Sequence, residues 1–262
     1  MSISEREYRG LLALLIVAGW FFGLAPFLLP AQFATAFGFA GTDVFVYRIA
    51  GAATFGYGVG LLIGWRASWA EMRLPFLATL IFNACSIFAC LAAIIAGATP
   101  WIVFVILLAS ILFTAGTGYF LTHPPAFLGP SRPGGDHELA QWVVALYVIG
   151  VVAAVFFGLA SLFPAGAFGK AVGATGADDF IYRQAGSATL GAGIAGFFVL
   201  RSRRWETARI PTVMALVFNG LSVIAAILEI ASGGGAWIAW IILLAAGLVT
   251  VGMALALRRE GR

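Results

Sequence analysis

The chain has 262 residues, of which 62% are hydrophobic and 10% charged, and its mean hydropathy is +1.02. Soluble domains carry about 25% charged residues, so this composition excludes an ordinary water-soluble protein and indicates an all-α integral membrane protein. The net charge of +4 follows from basic loops beside a membrane, and no nucleic-acid partner is expected.

The N-terminal MSISEREYRG carries acids as well as arginines and lacks a cleavage signal, so the apolar run after it is expected to remain as a membrane helix. A spanning helix needs about 20 mostly apolar residues. Eight runs qualify: roughly 11–30, 45–65, 75–97, 101–122, 141–163, 180–200, 210–231 and 236–257. Each is apolar all round rather than alternating, which in lipid means helix. Pro26 is expected to kink the first run. Pro75 and Pro211 are expected to open the third and seventh, where a missing N–H is harmless. Ahead of the second and sixth runs lie AQFATAFGFA (31–40) and AGAFGKAVGA (165–174), each expected to form a short amphipathic piece on the outer surface.

The second run opens FVYRIAGAATFGYG (45–58) and the sixth FIYRQAGSATLGAG (180–193). Gly41, Asp43, Tyr47, Arg48, Gly51 and Thr54 thus recur as Gly176, Asp178, Tyr182, Arg183, Gly186 and Thr189. Glu71, Pro75, Phe82, Asn83 and Ser86 recur as Glu206, Pro211, Phe218, Asn219 and Ser222. The expected organisation is a tandem duplication. Residues 1–122 and 141–262 each form a four-helix membrane repeat, joined by a Pro/Gly-rich cytoplasmic linker at 123–140. Four spans per copy give both the same direction, so the eight transmembrane helices form parallel repeats. Twelve arginines fall on the side of both termini against Arg48, Lys170 and Arg183 on the other. The termini are therefore expected in the cytoplasm and the protein in a bacterial inner membrane.

Thr42, Asp43 and Asp178 are candidate N-caps of the second and sixth spans. Arg48 and Arg183 sit one turn further in. They pair with Asp43 and with Asp178 or Asp179, they grip lipid phosphate, or they form a paired anion site at the outer mouth. Gly56 and Gly60, with Gly191 and Gly196, form small-residue faces where another helix approaches closely. Thr54 and Thr189 lie near mid-membrane and are expected to bond to their own backbone. Asn83, Ser86, Asn219 and Ser222 either glue helices together or line a solute site. Cys85 and Cys90 point to different sides of a helix and read as buried hydrophobes. His123 and His137 show no ligand spacing. No catalytic residue, metal site or cofactor is expected.

A span ending near Pro30, a short outer segment, then FVYRIAG or FIYRQAG opening a Gly-rich span resembles the DoxX-like four-helix inner-membrane proteins, here as a tandem fusion. Some DoxX-type proteins are linked to quinone-dependent sulfur oxidation. This chain has no redox cysteine pair to carry that chemistry. The expected function is a non-catalytic scaffold or accessory subunit packing on partner helices or lipids. One alternative is binding or transport of a small neutral or lipophilic molecule between the two repeats, and another is a lipid- or quinone-linked membrane enzyme.

Overall fold

The computed structural model describes residues 5–97, 100–129 and 137–260. Part of the expected linker and Arg132 and Arg262 of the charge count lie outside them. Ten α-helices occur among the described residues: α1 (Glu5–Leu28), α2 (Pro30–Phe37), α3 (Val44–Ile63), α4 (Trp69–Ile95), α5 (Trp101–Thr122), α6 (Gln141–Leu162), α7 (Ala165–Ala171), α8 (Asp179–Ser202), α9 (Trp205–Ala231) and α10 (Ile238–Glu260). No strand is found there beyond an isolated bridge between Glu138 and Arg204.

Seven helices are long and apolar enough to cross a membrane: α1, α3 with the turn after it, α4, α5, α6, α9 and α10. The exception among the eight long helices is α8, which carries Asp179, Arg183, Gln184 and Arg201 along with many small residues. Its surroundings explain the composition. It packs against α6, α4, α3 and α9, so neighbouring helices cover much of the surface that would otherwise face lipid.

Two boundaries differ from expectation. α4 and α9 begin at Trp69 and Trp205, so Pro75 and Pro211 lie inside them rather than at their starts. Hydropathy marks where grease begins, whereas caps decide where a helix begins. Ser68 accepts from the Glu71 backbone N–H (3.3 Å), and the Glu71 carboxylate accepts from the Ser68 N–H (3.0 Å). This reciprocal capping box starts α4 ahead of its apolar run. α2 and α7 occupy the two short interhelical segments. α2 is one-sided, with Phe33 and Ala34 buried and Ala31 and Gln32 exposed.

The helices exchange partners between the two halves of the chain. α1 packs on α3 and α6 on α8, and across the halves α3 lies along α9 and α8 along α4. α4 and α9 are then backed by α5 and α10. α3 and α4, although consecutive, barely touch. The α1–α3 and α6–α8 crossings depend on glycine. A Cβ on Gly51 would press on the Gly23 carbonyl, and one on Gly186 would lie 2.7 Å from the Gly158 carbonyl. Bare Cα positions let these helix pairs approach backbone to backbone.

α3 and α8 start side by side and run the same way. Tyr57 donates from α3 to the Ala188 carbonyl of α8 at 2.7 Å, three turns below their adjacent N-termini. At the opposite end, the buried Glu71 pairs with Arg209 (2.7 Å) and ties α4 to α9. There too, Leu139 donates to the Arg203 carbonyl (2.8 Å) and His137 meets Glu260 (2.8 Å).

Candidate functional site

The residues ahead of α3 and α8 form a reciprocal clasp. Asp43 and Asp178 occupy the two N-cap positions, yet neither side chain caps its own helix. Each reaches across to the other segment instead. Asp43 accepts from the Thr175 N–H (2.8 Å) and hydroxyl (2.6 Å), and from the Ala177 (2.9 Å) and Asp178 (3.2 Å) N–H groups. Asp178 accepts from the Gly41 (3.0 Å), Thr42 (3.1 Å) and Asp43 (3.0 Å) N–H groups and from the Tyr47 hydroxyl (3.0 Å). Both aspartates are buried. Charge-assisted bonds to oriented N–H groups at two helix N-termini are what make a buried carboxylate tolerable.

This arrangement corrects the expected ion pairs. Asp43 is consumed by the clasp and forms none with Arg48, which is half-buried and has no ion pair among the described residues. Arg183 pairs with Asp179 at 3.3 Å, not with Asp178. The position matching Asp179 in the first half is Val44, so Arg48 lacks the i−4 carboxylate that Arg183 has.

The small-residue faces serve internal packing. A Cβ on Gly56 would lie 2.9 Å from the Met214 carbonyl, and Gly60 abuts the Met214 side chain. A Cβ on Gly191 would lie 2.5 Å from the Tyr57 hydroxyl and 2.6 Å from the Ala78 carbonyl, and one on Gly196 would lie 2.8 Å from Val151. Thus α3 and α8 use these faces against α9, α4 and α6 rather than chiefly against each other.

The polar residues expected at mid-membrane depth divide between two cavities. Thr54, Asn83 and Ser86 line one of about 110 Å³, and Thr189, Asn219 and Ser222 line one of about 240 Å³. In the smaller cavity Ser86 donates to Gln184 (2.9 Å) and accepts from Ser110 (3.1 Å), and Asn83 donates to the Thr79 carbonyl (2.8 Å). Thr54 donates to the Ala50 carbonyl (2.9 Å). Ser86, Gln184 and Ser110 are thus linked across helices, whereas Thr54 and Asn83 bond to their own helices. Gln184 and Ser110 were not legible as members, because neither has a polar counterpart in the other half to draw notice.

The larger cavity lies among α3, α6, α8, α9 and α10, and no charged side chain among the described residues lines it. Ile149 of α6 and Ala245 of α10 belong to its wall and are also exposed. Asn219 donates to the Ala215 carbonyl (2.8 Å) and Ser222 to the Phe218 carbonyl (2.8 Å). Tyr182 also lines the cavity, and its buried hydroxyl has no hydrogen-bond partner among the described residues. It packs against Gly169, whereas Tyr47 reaches Asp178.

For scale, an apolar cavity of about 150 Å³ stays dry and binds benzene. The larger cavity therefore has room for two fused rings, and the smaller falls below one. No group of His, Cys, Asp and Glu that could hold a metal ion occurs among the described residues, and Cys85 and Cys90 are free thiols. Comparison with protein-family models, curated proteins and solved structures gave no match, so the site is interpreted from its own chemistry.

Proposed function

We propose that this is a multi-pass membrane protein that binds an uncharged lipophilic molecule in the cavity among α3, α6, α8, α9 and α10, admitted from the bilayer between α6 and α10. The observation that carries the reading is the cavity itself: about 240 Å³, apolar, free of charged lining among the described residues, and walled in part by the exposed Ile149 and Ala245. Such a space favours a neutral guest, since a charged one would surrender hydration with nothing to replace it.

The proposal includes the tandem duplication, with α8 as an eighth span and a DoxX-like ancestry for each half. It also includes a bacterial inner membrane with both termini in the cytoplasm. Matched positions of the halves support a specialised second cavity. Where the smaller cavity has Leu15, Tyr57, Leu61 and Phe113, the larger has Gly150, Ala192, Gly196 and Val249. Every one of these exchanges removes volume from the second site. A scaffold packing on partner helices is the competing reading. It loses ground because the flat glycine faces that suggested it are covered by the chain's own helices.

The test is native mass spectrometry of the protein released from lipid nanodiscs, with Gly150→Leu as control. Gly150 lines the cavity and a Cβ there meets nothing within 4 Å, so leucine, which stands at the matching position as Leu15, is the chosen filler. A small lipophilic adduct on the wild type that Gly150→Leu loses supports the reading. Identical spectra, or no adduct on either protein, count against it.

A further inference from the structure

We infer that the guest of the larger cavity carries a hydroxyl or similar hydrogen-bond donor, received by Asn219 Oδ1 and Ser222 Oγ; this rests on the binding function proposed above. The argument follows which hydrogens are already committed. Asn219 uses its Nδ2 to donate to the Ala215 carbonyl (2.8 Å), which fixes the amide orientation and leaves Oδ1 without a partner among the described residues. Ser222 spends its only hydrogen on the Phe218 carbonyl (2.8 Å), so its oxygen has only lone pairs to offer. Ser222 lies three residues beyond Asn219, on the same side of α9. Both line the cavity, and both stand near the middle of the 27-residue helix.

The smaller cavity shows how the matching serine is closed, while Asn83, like Asn219, bonds only to its own helix through Nδ2. There Ser86 donates to Gln184 (2.9 Å) and receives Ser110 (3.1 Å). The positions matching Gln184 and Ser110 are Ile49 and Ala246, and both line the larger cavity. Neither can hydrogen-bond through its side chain. Ser222 therefore faces an apolar chamber without the closing partners that Ser86 has, beside the open Oδ1 of Asn219, which suits a guest that brings a donor of its own. A guest with only a carbonyl or ether oxygen would set acceptor against acceptor at Asn219 and Ser222 and would have to turn to the Tyr182 hydroxyl instead.

The experiment uses the full chain in nanodiscs and two probes of nearly equal shape, 2-naphthol and 2-fluoronaphthalene. Dissociation constants are measured by calorimetry at pH 7, where naphthol is neutral, and corrected for each probe's partition into empty nanodiscs. A net hydrogen bond is worth about tenfold in affinity. The wild type is expected to prefer 2-naphthol by about that factor. Asn219→Leu should reduce the preference to about twofold. Ser222→Ala provides a second, milder variant with a partial loss. Equal affinity of the wild type for both probes overturns the inference, as does a preference that survives Asn219→Leu and Ser222→Ala unchanged. Failure of both probes to bind the wild type overturns the cavity reading itself, which separates the two failures.

Discussion

Replacing Asp178 with alanine removes the acceptor for the Gly41, Thr42 and Asp43 N–H groups and for the Tyr47 hydroxyl. These losses are unequal. Thr42 is exposed, so water can take over there, whereas Asp43 and Tyr47 are buried, Tyr47 with 0% of its surface accessible. Each buried donor left without an acceptor costs about 1–3 kcal/mol. Two such groups, with smaller losses at the rim, put Asp178→Ala at about 3 kcal/mol. Asp43→Ala should cost somewhat less, because Thr175 and Ala177 are exposed and can rehydrate. Each aspartate also receives the other's backbone N–H, at 3.0 and 3.2 Å. Losing either carboxylate loosens the segment that presents the second, so the double variant should fall short of the sum by about 1 kcal/mol. Reversible unfolding in mixed micelles of a mild detergent and dodecyl sulfate measures all three variants. Single substitutions costing less than about 0.5 kcal/mol, or strict additivity, would refute the clasp as a structural device.

Other expectations follow from the same contacts. Glu71→Gln should lower stability by about 2–3 kcal/mol, because it weakens the capping box and leaves Arg209 facing a neutral amide; the same unfolding assay reads it. Gly191→Ala should cost about 1–3 kcal/mol, since its Cβ would lie 2.5 Å from the Tyr57 hydroxyl and 2.6 Å from the Ala78 carbonyl; a thermal midpoint equal to wild type would contradict that packing. Tyr57→Phe should cost about 1 kcal/mol through loss of the 2.7 Å bond to Ala188, measurable by the same melt. Gly150→Leu should keep the wild-type melting temperature within a few degrees while abolishing 2-naphthol binding, checked by calorimetry.

The helical class and the positions of the long helices were legible because a membrane solvent leaves few options for backbone polar groups. The FVYRIAG and FIYRQAG segments also marked the places where the chain's two halves meet. What hydropathy could not convey was partnership. Asp43 looked like a cap for its own helix and a mate for Arg48, since local sequence offers only local partners. Its true donors come from residues 175–178, brought close by the packing of α3 and α8. α8 was legible as a long helix from its match to the second run, although its composition leaves it outside the seven helices apolar enough to cross a membrane. Asn219 and Ser222 stood out as polar residues in grease. The chamber they face was invisible, because it arises from absent bulk at Gly150, Ala192, Gly196 and Val249, spread over three other helices.

The lengthwise pairing of α3 with α9 and of α8 with α4 bears on biogenesis. When the first 122 residues have been synthesised, α3 has met only α1 among its principal neighbours, and its Gly56–Gly60 edge stays bare until Met214 arrives. The α1–α3 and α4–α5 pairs can form early, but the contacts that join them to the rest wait for α8 and α9. Two half-length polypeptides made in one cell would be expected to find each other and reconstitute the whole, while either half alone would be a substrate for membrane proteases.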